Sequence, residues 1–207
     1  MTEKEKMLAG KIYDSTDAEL SALCRRAEEL CKLYNDTMPS ESEKRRAILD
    51  ELLPFKKEGM FNIRGPIYFD YGVFTKIGKN FFANYNLTIL DVCPVTIGDN
   101  VFFGPNVSIL TPKHPLVHQE RCPYMTEDGR IVCKEYGAPI TIGDNCWIAG
   151  NVTILAGAEI GSGCVIGAGS VVAGKIPDNS LAYGNPARVV RTITEADSLK
   201  YKQELLS

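Results

Sequence analysis

The second half of the chain repeats its aliphatic residues at every sixth position. One set runs without interruption from 142 to 172, and a second set lies two positions earlier in each repeat. The first set is Ile142, Ile148, Ile154, Ile160, Ile166 and Val172, and the second is Ile140, Cys146, Val152, Ala158 and Cys164. A period of six fits neither an α-helix nor a single alternating strand. A sustained hexapeptide repeat predicts a parallel β-helix, in which short strands stack coil upon coil.

The same spacing begins before the centre of the chain, in Val95, Val101 and Val107 and in Ile97, Phe103 and Ile109. An ordinary β-sandwich is the alternative, and it would show two-residue alternation broken by turns of variable length. Because the six-residue register is unbroken over many repeats, we favour the β-helix. The predicted fold class is therefore dominated by β-structure.

Two interruptions of the repeat are informative. The set that begins at Ile77 keeps its spacing up to the segment 91–94, beyond which it is displaced by two residues, so we expect a distorted coil there. From 110 to 139 there is no repeat, and this segment holds both histidines, His114 and His118. A long loop that leaves a rigid scaffold is a usual place for a functional site.

Residues 16–53 carry helical signals instead. Apolar side chains recur three or four positions apart and form one stripe, which comprises Leu20, Leu23, Ala27, Leu30, Cys31 and Tyr34. Thr16 with Glu19, and Ser40 with Glu43, have the spacing of capping boxes and predict the two helix starts of a hairpin. The chain thus divides into three parts. Residues 1–58 form an N-terminal helical element, residues 59–190 form a β-helix with the protruding loop 110–139, and residues 191–207 form a tail that is expected to be a short helix.

Composition narrows the possible partners. The chain has 207 residues, 44% of them hydrophobic, which is enough for one main domain with a buried core. A formal net charge of -3 gives no basic field, so neither nucleic acid nor a membrane is expected as a partner. No apolar stretch reaches the ~20 residues of a membrane span, and Met1 to Lys11 lacks a signal-peptide core, which predicts a cytoplasmic protein. The seven cysteines are expected to be reduced thiols.

Several motifs beyond the repeat resemble those of one family. They are Asp70-Tyr71-Gly72, Phe81-Phe82-Ala83-Asn84, Leu90-Asp91-Val92-Cys93-Pro94, Thr111-Pro112-Lys113-His114-Pro115 and Gly184-Asn185-Pro186-Ala187-Arg188. Together with the Ala9-Gly10-Lys11 start, these motifs are similar to the maltose and galactoside O-acetyltransferases, and most to the maltose branch. The resemblance covers nearly the whole chain. The hexapeptide repeat alone indicates only the fold, whereas the N-terminal element, the Asp91 segment and the His-Pro loop are more specific.

The resemblance implies a homotrimer of left-handed β-helices, with acetyl-CoA in a groove between neighbouring subunits. It matches His114 to the catalytic histidine, and it matches Asp70, Asn84, Asp91 and Glu135 to positions near a sugar acceptor. The positions that match coenzyme contacts are Gly150, Ala168, Ala173, Arg188 and Arg191. Gly174 stands where a lysine often contacts the coenzyme and Lys175 follows it, so we expect that contact to be lost or shifted by one residue. The stretch 122–134 makes the loop longer than usual in the family.

The chemistry fits these roles. A sugar hydroxyl needs a base to take its proton as it attacks a thioester, and histidine is the natural base near neutral pH. Arginine forks suit the phosphates of coenzyme A, although both arginines could be solvated charges. Asp70, Asn84 and Asp91 could equally be corner residues that satisfy backbone groups.

Other interpretations remain open. His114, His118, Cys122 and Cys133 share one loop, but their spacing matches no recognised zinc pattern, and we expect no metal and a solvated His118. Trp147 points outward, either to a subunit interface or to the coenzyme groove. The functional alternatives are an acyltransferase for an antibiotic or an amino acid, and a solenoid interaction module without catalysis.

Overall fold

The computed structural model describes residues 1–202 and 205. The helices are α1 Glu3–Leu8, α2 Ala18–Asn35, α3 Ser42–Leu52 and α4 His118–Arg121. The strands up to the long loop are β1 Tyr13–Asp14, β2 Phe61–Ile63, β3 Ile67–Phe69, β4 Thr75–Ile77, β5 Phe81–Ala83, β6 Leu87–Leu90, β7 Val95–Ile97, β8 Phe102–Phe103 and β9 Ser108–Leu110. The remaining strands are β10 Pro112–Lys113, β11 Tyr124–Met125, β12 Ile131–Val132, β13 Lys134–Gly137, β14 Ile140–Ile142, β15 Trp147–Ile148, β16 Thr153–Leu155, β17 Glu159–Ile160, β18 Val165–Ile166, β19 Val171–Val172, β20 Lys175–Ile176, β21 Ser180–Gly184 and β22 Ala187–Thr192.

Three parallel sheets form the walls of a prism, and the chain visits them in turn. Sheet A contains β4, β7, β14, β17 and β20; sheet B contains β2, β5, β8, β15, β18 and β21; sheet C contains β3, β6, β9, β16 and β19. Only the terminal β22 pairs antiparallel within these walls, with β21. This arrangement confirms the predicted left-handed parallel β-helix. The three edges of the prism are named here by the sheets they join: AB, BC and CA.

The repeating aliphatic residues fill the interior of the prism as predicted. Equivalent residues pair on neighbouring strands, as Ile142 does with Ile160 and Ile148 with Ile166. All members of the first set are at most 2% exposed. Cys146 and Cys164 are buried among the second set, and all seven cysteines are free thiols. Since each strand of the prism buries only one or two side chains, stacking of the coils provides the continuous core.

Asparagine occupies corners where the backbone turns with positive φ. Seven asparagines have φ between 54° and 61°, a region that asparagine tolerates better than most residues: Asn80, Asn86, Asn100, Asn106, Asn145, Asn151 and Asn179. Their side chains form ladders along the AB and BC edges, with Asn80 Nδ2 donating to Asn100 Oδ1 at 2.8 Å and Asn106 Nδ2 donating to Asn151 Oδ1 at 2.9 Å. The ladders fix the register between coils at the points where the strands end.

The distortion that was expected near residues 91–94 lies at the CA edge. Thr75 pairs with Val95, twenty positions later, whereas Thr141 pairs with Glu159, eighteen positions later. The two extra residues per coil lie in the bends that join sheet C to sheet A. The displacement of the sequence repeat therefore reflects an enlarged corner of the prism. The predicted distortion of the coil is confirmed.

The predicted helical hairpin is present as α2 and α3, but its caps differ from prediction. Asp17, not Thr16, caps α2 by accepting hydrogen bonds from the Glu19 and Leu20 backbones, because the Thr16 hydroxyl donates to Asp14 and to the Ile131 carbonyl. The second helix begins at Ser42 without a side-chain cap, so Ser40 does not start it. Helix α1 was not predicted from the sequence, although Thr2 and Glu5 form a capping box at its start.

The C-terminal segment leaves the prism after β22, which extends two residues past the boundary placed at 190. Two short 3-10 turns follow, Glu195–Asp197 and Leu199–Tyr201. Residues 203, 204, 206 and 207 of the predicted tail helix lie outside the described residues. In the described part of the chain, no helix combines the length and hydrophobicity needed to span a membrane.

Candidate functional site

The protruding loop 110–139 leaves the prism at the CA edge. Its strands β10 and β13 join β1 in a small antiparallel sheet, in which Lys113 lies opposite Tyr136 and Tyr13 lies opposite Glu135. His114 directly follows the last paired residue of β10, and Glu135 directly precedes Tyr136, the partner of that residue, on β13. The loop therefore brings two of the predicted site residues together, although they are separated by 21 positions.

The imidazole of His114 is exposed to solvent. Among the described residues it makes no hydrogen bond and no ion pair, so no group that orients the ring is found within one chain. His118 begins the short helix α4 and is also exposed, as expected. Across residues 1–202 and 205, no three His, Cys, Asp or Glu side chains converge on a point where a metal ion could bind. The loop thus leaves the His114 ring without a hydrogen-bond partner among the described residues.

A cleft of about 440 Å³ opens beside this small sheet, between the CA edge and helix α2. Its lining combines phenols, hydroxyls and carboxylates: Tyr13, Ser15, Leu20, Ser21, Cys24, Arg25, Glu28, Asp70, Tyr71, Val92 and Glu135. The Tyr13 hydroxyl donates to Glu135 Oε2 at 3.0 Å, which fixes one oxygen of a carboxylate that lines the cleft. We call this the acceptor cleft, because it has the size and the mixed polar lining of a small-molecule site.

Asp70 is the most perturbed acid of the acceptor cleft. Burial, and then the negative charges of Asp91, Glu135 and Glu28, raise the pKa of Asp70 to about 7. No hydrogen bond to its carboxylate is present among the described residues. Burial and the Asp70 charge also raise the pKa of the Cys24 thiol to about 11, so this thiol stays protonated. A half-buried carboxylate without a partner is open to hydrogen bonds from a ligand.

Asp91 takes the second of the two roles left open for it, that of a corner residue that satisfies backbone groups. It is fully buried, and its Oδ1 accepts from the backbones of Tyr71 and Gly72 at 2.9 and 3.1 Å. Its Oδ2 accepts from the Phe74 backbone at 3.2 Å and from the Thr75 hydroxyl at 2.9 Å. Burial raises the pKa of Asp91, and these hydrogen bonds oppose the rise. The expectation of an acceptor contact is corrected: this carboxylate has no free lone pair for a ligand and instead holds the bend that carries Asp70.

The structure does not bring Asn84 to the acceptor cleft. Asn84 follows β5 at the BC edge, where its backbone N–H donates to Phe103 of the next coil. Gly150 and Ala168 lie on the same edge in later coils, and the N–H of Gly169 donates to the Gly150 carbonyl at 3.0 Å. Within one chain, sheet C therefore separates Asn84 and two of the predicted coenzyme contacts from Asp70 and Glu135.

The other predicted coenzyme contacts lie near the C-terminal end of the prism. Ala173, Gly174 and Lys175 are exposed at the CA edge, and Lys175 forms an ion pair with Glu159 at 2.8 Å. Arg188 and Arg191 are exposed on β22. The guanidinium of Arg191 forms two hydrogen bonds with the Asp197 carboxylate, at 2.8 and 2.7 Å. Among the described residues, Arg188 donates only to the neighbouring Ala187 carbonyl. Arg188 is thus the freer of the two cations.

The outer faces of the sheets differ in polarity. From β5 onward, the outward residues of sheet B stack as an apolar ladder, which comprises Phe82, Phe102, Trp147, Val165 and Leu181. On sheet A the outward positions are polar or charged, namely Lys76, Thr96, Thr141, Glu159 and Lys175. Phe102 and Trp147 are 47% and 54% exposed. Large exposed apolar surfaces in one line are typical of an interface.

Some cleft residues were missed by the sequence analysis. The α2 wall contributes Ser21, Cys24, Arg25 and Glu28, all of which lie outside the apolar stripe that the helical pattern predicted. Tyr13 was missed because nothing in its local sequence marks it as functional. A carboxylate and an arginine on an exposed helix face give no signal until the fold shows what that face approaches.

A hexapeptide β-helix with an accessible loop histidine beside a polar cleft defines the class of hexapeptide-repeat acyltransferases. Residues 6–54 match the maltose acetyltransferase hexapeptide capping motif, residues 94–111 match the hexapeptide repeat of succinyl-transferase, and residues 139–174 match the bacterial transferase hexapeptide. These matches cover the helical element and two stretches of the β-helix separately.

Full-length relatives give the narrower assignment. The chain is 40% identical to the galactoside O-acetyltransferase of Escherichia coli over 97% of this chain and 94% of that protein. A maltose O-acetyltransferase structure from Clostridium difficile superposes with a TM-score of 0.85 at 46% identity, covering 94% of this chain and 99% of that chain. A galactoside acetyltransferase in complex with coenzyme A superposes with a TM-score of 0.86 at 41% identity, covering 95% and 94%. The chain belongs to the maltose and galactoside O-acetyltransferase family, which confirms the predicted resemblance and the predicted acyltransferase class.

Proposed function

We propose that the protein transfers an acetyl group from acetyl-CoA to a sugar hydroxyl, with His114 as the general base. The observation that carries the proposal is the acceptor cleft, where Asp70 and Glu135 line a polar space beside the small sheet whose strand β10 ends directly before His114. Carboxylates that accept hydrogen bonds suit a ligand rich in hydroxyl groups. The named activities of the relatives, maltose and galactoside O-acetylation, agree with this lining.

The transfer needs no covalent enzyme intermediate. The sugar oxygen attacks the thioester carbonyl carbon while His114 takes the hydroxyl proton, and the carbon–sulfur bond then breaks. The coenzyme A thiolate leaves and receives the proton from the imidazolium. A backbone N–H at a glycine-containing edge of the prism supplies the hydrogen bond to the oxyanion between these steps.

Acetyl-CoA binding rests on two groups of residues. The first is the small, exposed or half-buried corner residues Gly150, Ala168, Ala173 and Gly174, which leave room for a chain to approach the backbone. The second is the pair Arg188 and Arg191, with Lys175 nearby as a further cation. Arginine forks bind phosphate oxygens well. Because Asp197 already holds Arg191, we expect Arg188 to contribute more to phosphate binding.

We further propose that the active unit is a homotrimer. One edge of the prism holds Asn84, Gly150 and Ala168, and another holds Asp70, Glu135 and the His114 loop. A single active site that uses residues from both edges therefore needs two copies of the chain. The apolar ladder of sheet B, unlike the polar face of sheet A, gives a surface that packing between copies would bury. A head-to-tail contact closes into a ring when its rotation matches a closed symmetry, as the proposed trimer requires.

A thiol-release assay tests the proposed activity. Purified protein is incubated with acetyl-CoA and, in turn, glucose, maltose, galactose, lactose, an aminoglycoside antibiotic and serine, and free thiol is measured against time. We expect acceptor-dependent release with at least one sugar. Release with the antibiotic or the amino acid alone would instead support the alternative acyltransferases, and no release with any acceptor would support a non-catalytic solenoid.

A further inference from the structure

The N-terminal end of the prism carries a groove that lies apart from the acceptor cleft. Its two parts have volumes of about 370 and 520 Å³, and they share Pro39, Arg45, Asn62 and Ile63. None of its lining residues lines the acceptor cleft. Both volumes are typical of small-molecule sites. We call it the basic groove after its charged residues, which are Arg45, Arg46, Lys56, Lys57, Arg64 and Glu58.

The charges of the basic groove do not cancel. Its two lysines are neutralised by acids that lie outside the lining: Lys56 pairs with Asp50 at 2.5 Å, and Lys57 pairs with Asp99 at 3.1 Å. In the described part of the chain, the three arginines have no carboxylate partner, and Glu58 is the single acid of the lining. The groove therefore has an excess of positive charge, although the whole chain has a net charge of -3. This local excess favours an anionic ligand.

Arg45 is fixed in the groove by neutral groups. Its guanidinium donates to the Thr37 hydroxyl at 2.9 Å, to the Tyr34 hydroxyl at 2.6 Å and to the Ile63 carbonyl at 3.1 Å. The same guanidinium stacks on the Tyr34 ring, with Cζ 4.1 Å from the ring centroid. An arginine has five N–H donors, so two have no acceptor among the described residues. This half-buried cation is thus held in place with donors unused and without a counter-charge.

The two other arginines line one part of the groove each. Arg46 follows Arg45 on α3, is exposed, and makes no hydrogen bond or ion pair with any described residue. Arg64 lies over the rings of Phe82 and Tyr85, at 5.9 and 5.5 Å from their centroids, so its contacts are aromatic rather than ionic. A single arginine fork satisfies a carboxylate, whereas a phosphate has charge and oxygens for several. Three guanidinium groups in one groove therefore suit a phosphate.

The basic groove is distant from the arginines proposed to bind coenzyme phosphates. Asn62 on β2 lines the groove, and Arg188 and Arg191 lie on β22. These two strands are the opposite edges of the same seven-stranded sheet. At about 4.8 Å between neighbouring strands, they are about 29 Å apart. Within one chain, the basic groove is therefore not an extension of the proposed coenzyme site.

We propose that the basic groove binds a phosphate monoester, a small molecule with one terminal phosphate group. The phosphate accepts hydrogen bonds from the unused N–H groups of Arg45 and from the free guanidinium of Arg46. The organic part of the ligand extends past Asn62 toward Arg64 and the ring of Tyr85, which is 50% exposed. Nucleoside monophosphates and sugar phosphates share this chemistry. The site is formed without the His114 loop, so it is additional to the proposed transfer reaction.

Isothermal titration calorimetry with inorganic phosphate, AMP and glucose 6-phosphate tests the proposal. We expect at least one monoester to bind the wild-type protein with a lower Kd than inorganic phosphate, and the tighter of the two identifies the organic part. Arg46→Ala should raise that Kd about tenfold, because a charge-assisted hydrogen bond is lost. The Arg46 side chain is exposed, so this variant should fold as the wild type does. Glu58→Gln should lower the Kd, because a repelling charge is removed.

Two variants serve as controls. Lys44→Ala removes a cation of the same helix that lines neither part of the groove, and it should leave the Kd unchanged. Arg188→Ala should leave it unchanged as well, which separates the groove from the proposed coenzyme site.

Four results would overturn the phosphate site. They are no binding of either monoester, binding of inorganic phosphate alone, a monoester Kd that is the same in Arg46→Ala as in the wild type, and a Kd raised as much by Arg188→Ala as by Arg46→Ala. A changed assembly mass in Arg46→Ala would overturn it too, because Arg46 would then serve a contact between copies of the chain. None of these results depends on sugar acetylation, so the proposed function stands or falls separately.

Discussion

Two acidic residues of neighbouring coils differ in what surrounds their carboxylates. Asp91 accepts four hydrogen bonds from a single bend and has no capacity left for a ligand. Asp70, carried by that bend, accepts none among the described residues and has its pKa raised to about 7. The buried Asp91 thus stabilises the bend, and Asp70, which the bend carries, is available for binding. The functional residue of such a pair is the one whose hydrogen-bonding capacity the fold leaves unused.

Asp91→Asn tests the structural role. The amide keeps the size of the side chain but turns an NH₂ donor toward donors of the bend, so buried polar groups lose their partners. We expect a loss of about 3 kcal/mol in the free energy of unfolding, measured by chemical denaturation. Asp128→Asn, in the exposed part of the loop, is the control and should change it by less than about 0.5 kcal/mol. A loss for Asp91→Asn no greater than the control's would contradict the assigned role.

Asp70 predicts a pH dependence of stability. Its pKa of about 7 in the folded protein exceeds the usual value near 4, so the folded state holds a proton between these values that the unfolded chain releases. Stability contributed by this proton is therefore present at low pH and falls as the pH rises through the window. Asp70→Asn should exceed the wild type by about 1 to 3 kcal/mol in the free energy of unfolding at pH 8, and the difference should vanish toward pH 4. A difference independent of pH, measured by denaturation across this range, would contradict the perturbed pKa.

At the scale of elements, the coils could be predicted from the sequence and the acceptor cleft could not. Each inward position of a coil must be aliphatic because the same position stacks above and below it, and this requirement produces the visible period of six. The cleft forms where α2 approaches the CA edge, and its charged residues Arg25 and Glu28 follow the pattern of any solvated helix face. The helix starts were placed imprecisely because Thr16 has the residue type of a cap but uses its hydroxyl elsewhere.

Strand β22 carries a prediction about coenzyme binding. Arg188 is free of acidic partners among the described residues, whereas Arg191 is held by Asp197. We expect Arg188→Ala to raise the KM for acetyl-CoA about tenfold, and Arg191→Ala to raise it less, with the KM for sugar unchanged in both. Steady-state kinetics with each substrate varied in turn provide the measurement. Unchanged coenzyme KM values in both variants would refute the assignment.

At the scale of the whole molecule, the three outer faces predict how copies of the chain associate. Sheet A is polar outside, sheet B carries the apolar ladder, and sheet C lies between the two edges that hold the predicted site residues. An assembly that buries sheet B and joins the two edges leaves sheet A in solvent. The distribution of polarity therefore agrees with the trimer that the family resemblance implies.

Light scattering tests this assembly. We expect a mass of about three times the 22.8 kDa of one chain. Phe102→Glu places a charge within the apolar ladder and should shift the mass toward that of one chain, because a buried unpaired charge is costly. Thr96→Glu, an outward position on sheet A, is the matched control and should leave the assembly intact. A wild-type mass of one chain, or equal effects of the two variants, would contradict the assigned interface.

The catalytic role of His114 is tested most directly by the rate of acetyl transfer in His114→Ala. The side chain is exposed on the loop and adds nothing to the stacked core, so the fold, the assembly mass and acetyl-CoA affinity should stay as in the wild type. Loss of the base should lower kcat for sugar acetylation by about 10²- to 10⁴-fold, while His118→Ala, an exposed histidine of the same loop, retains most activity. Near-normal sugar acetylation by His114→Ala, or equal losses in the two variants, would contradict the account.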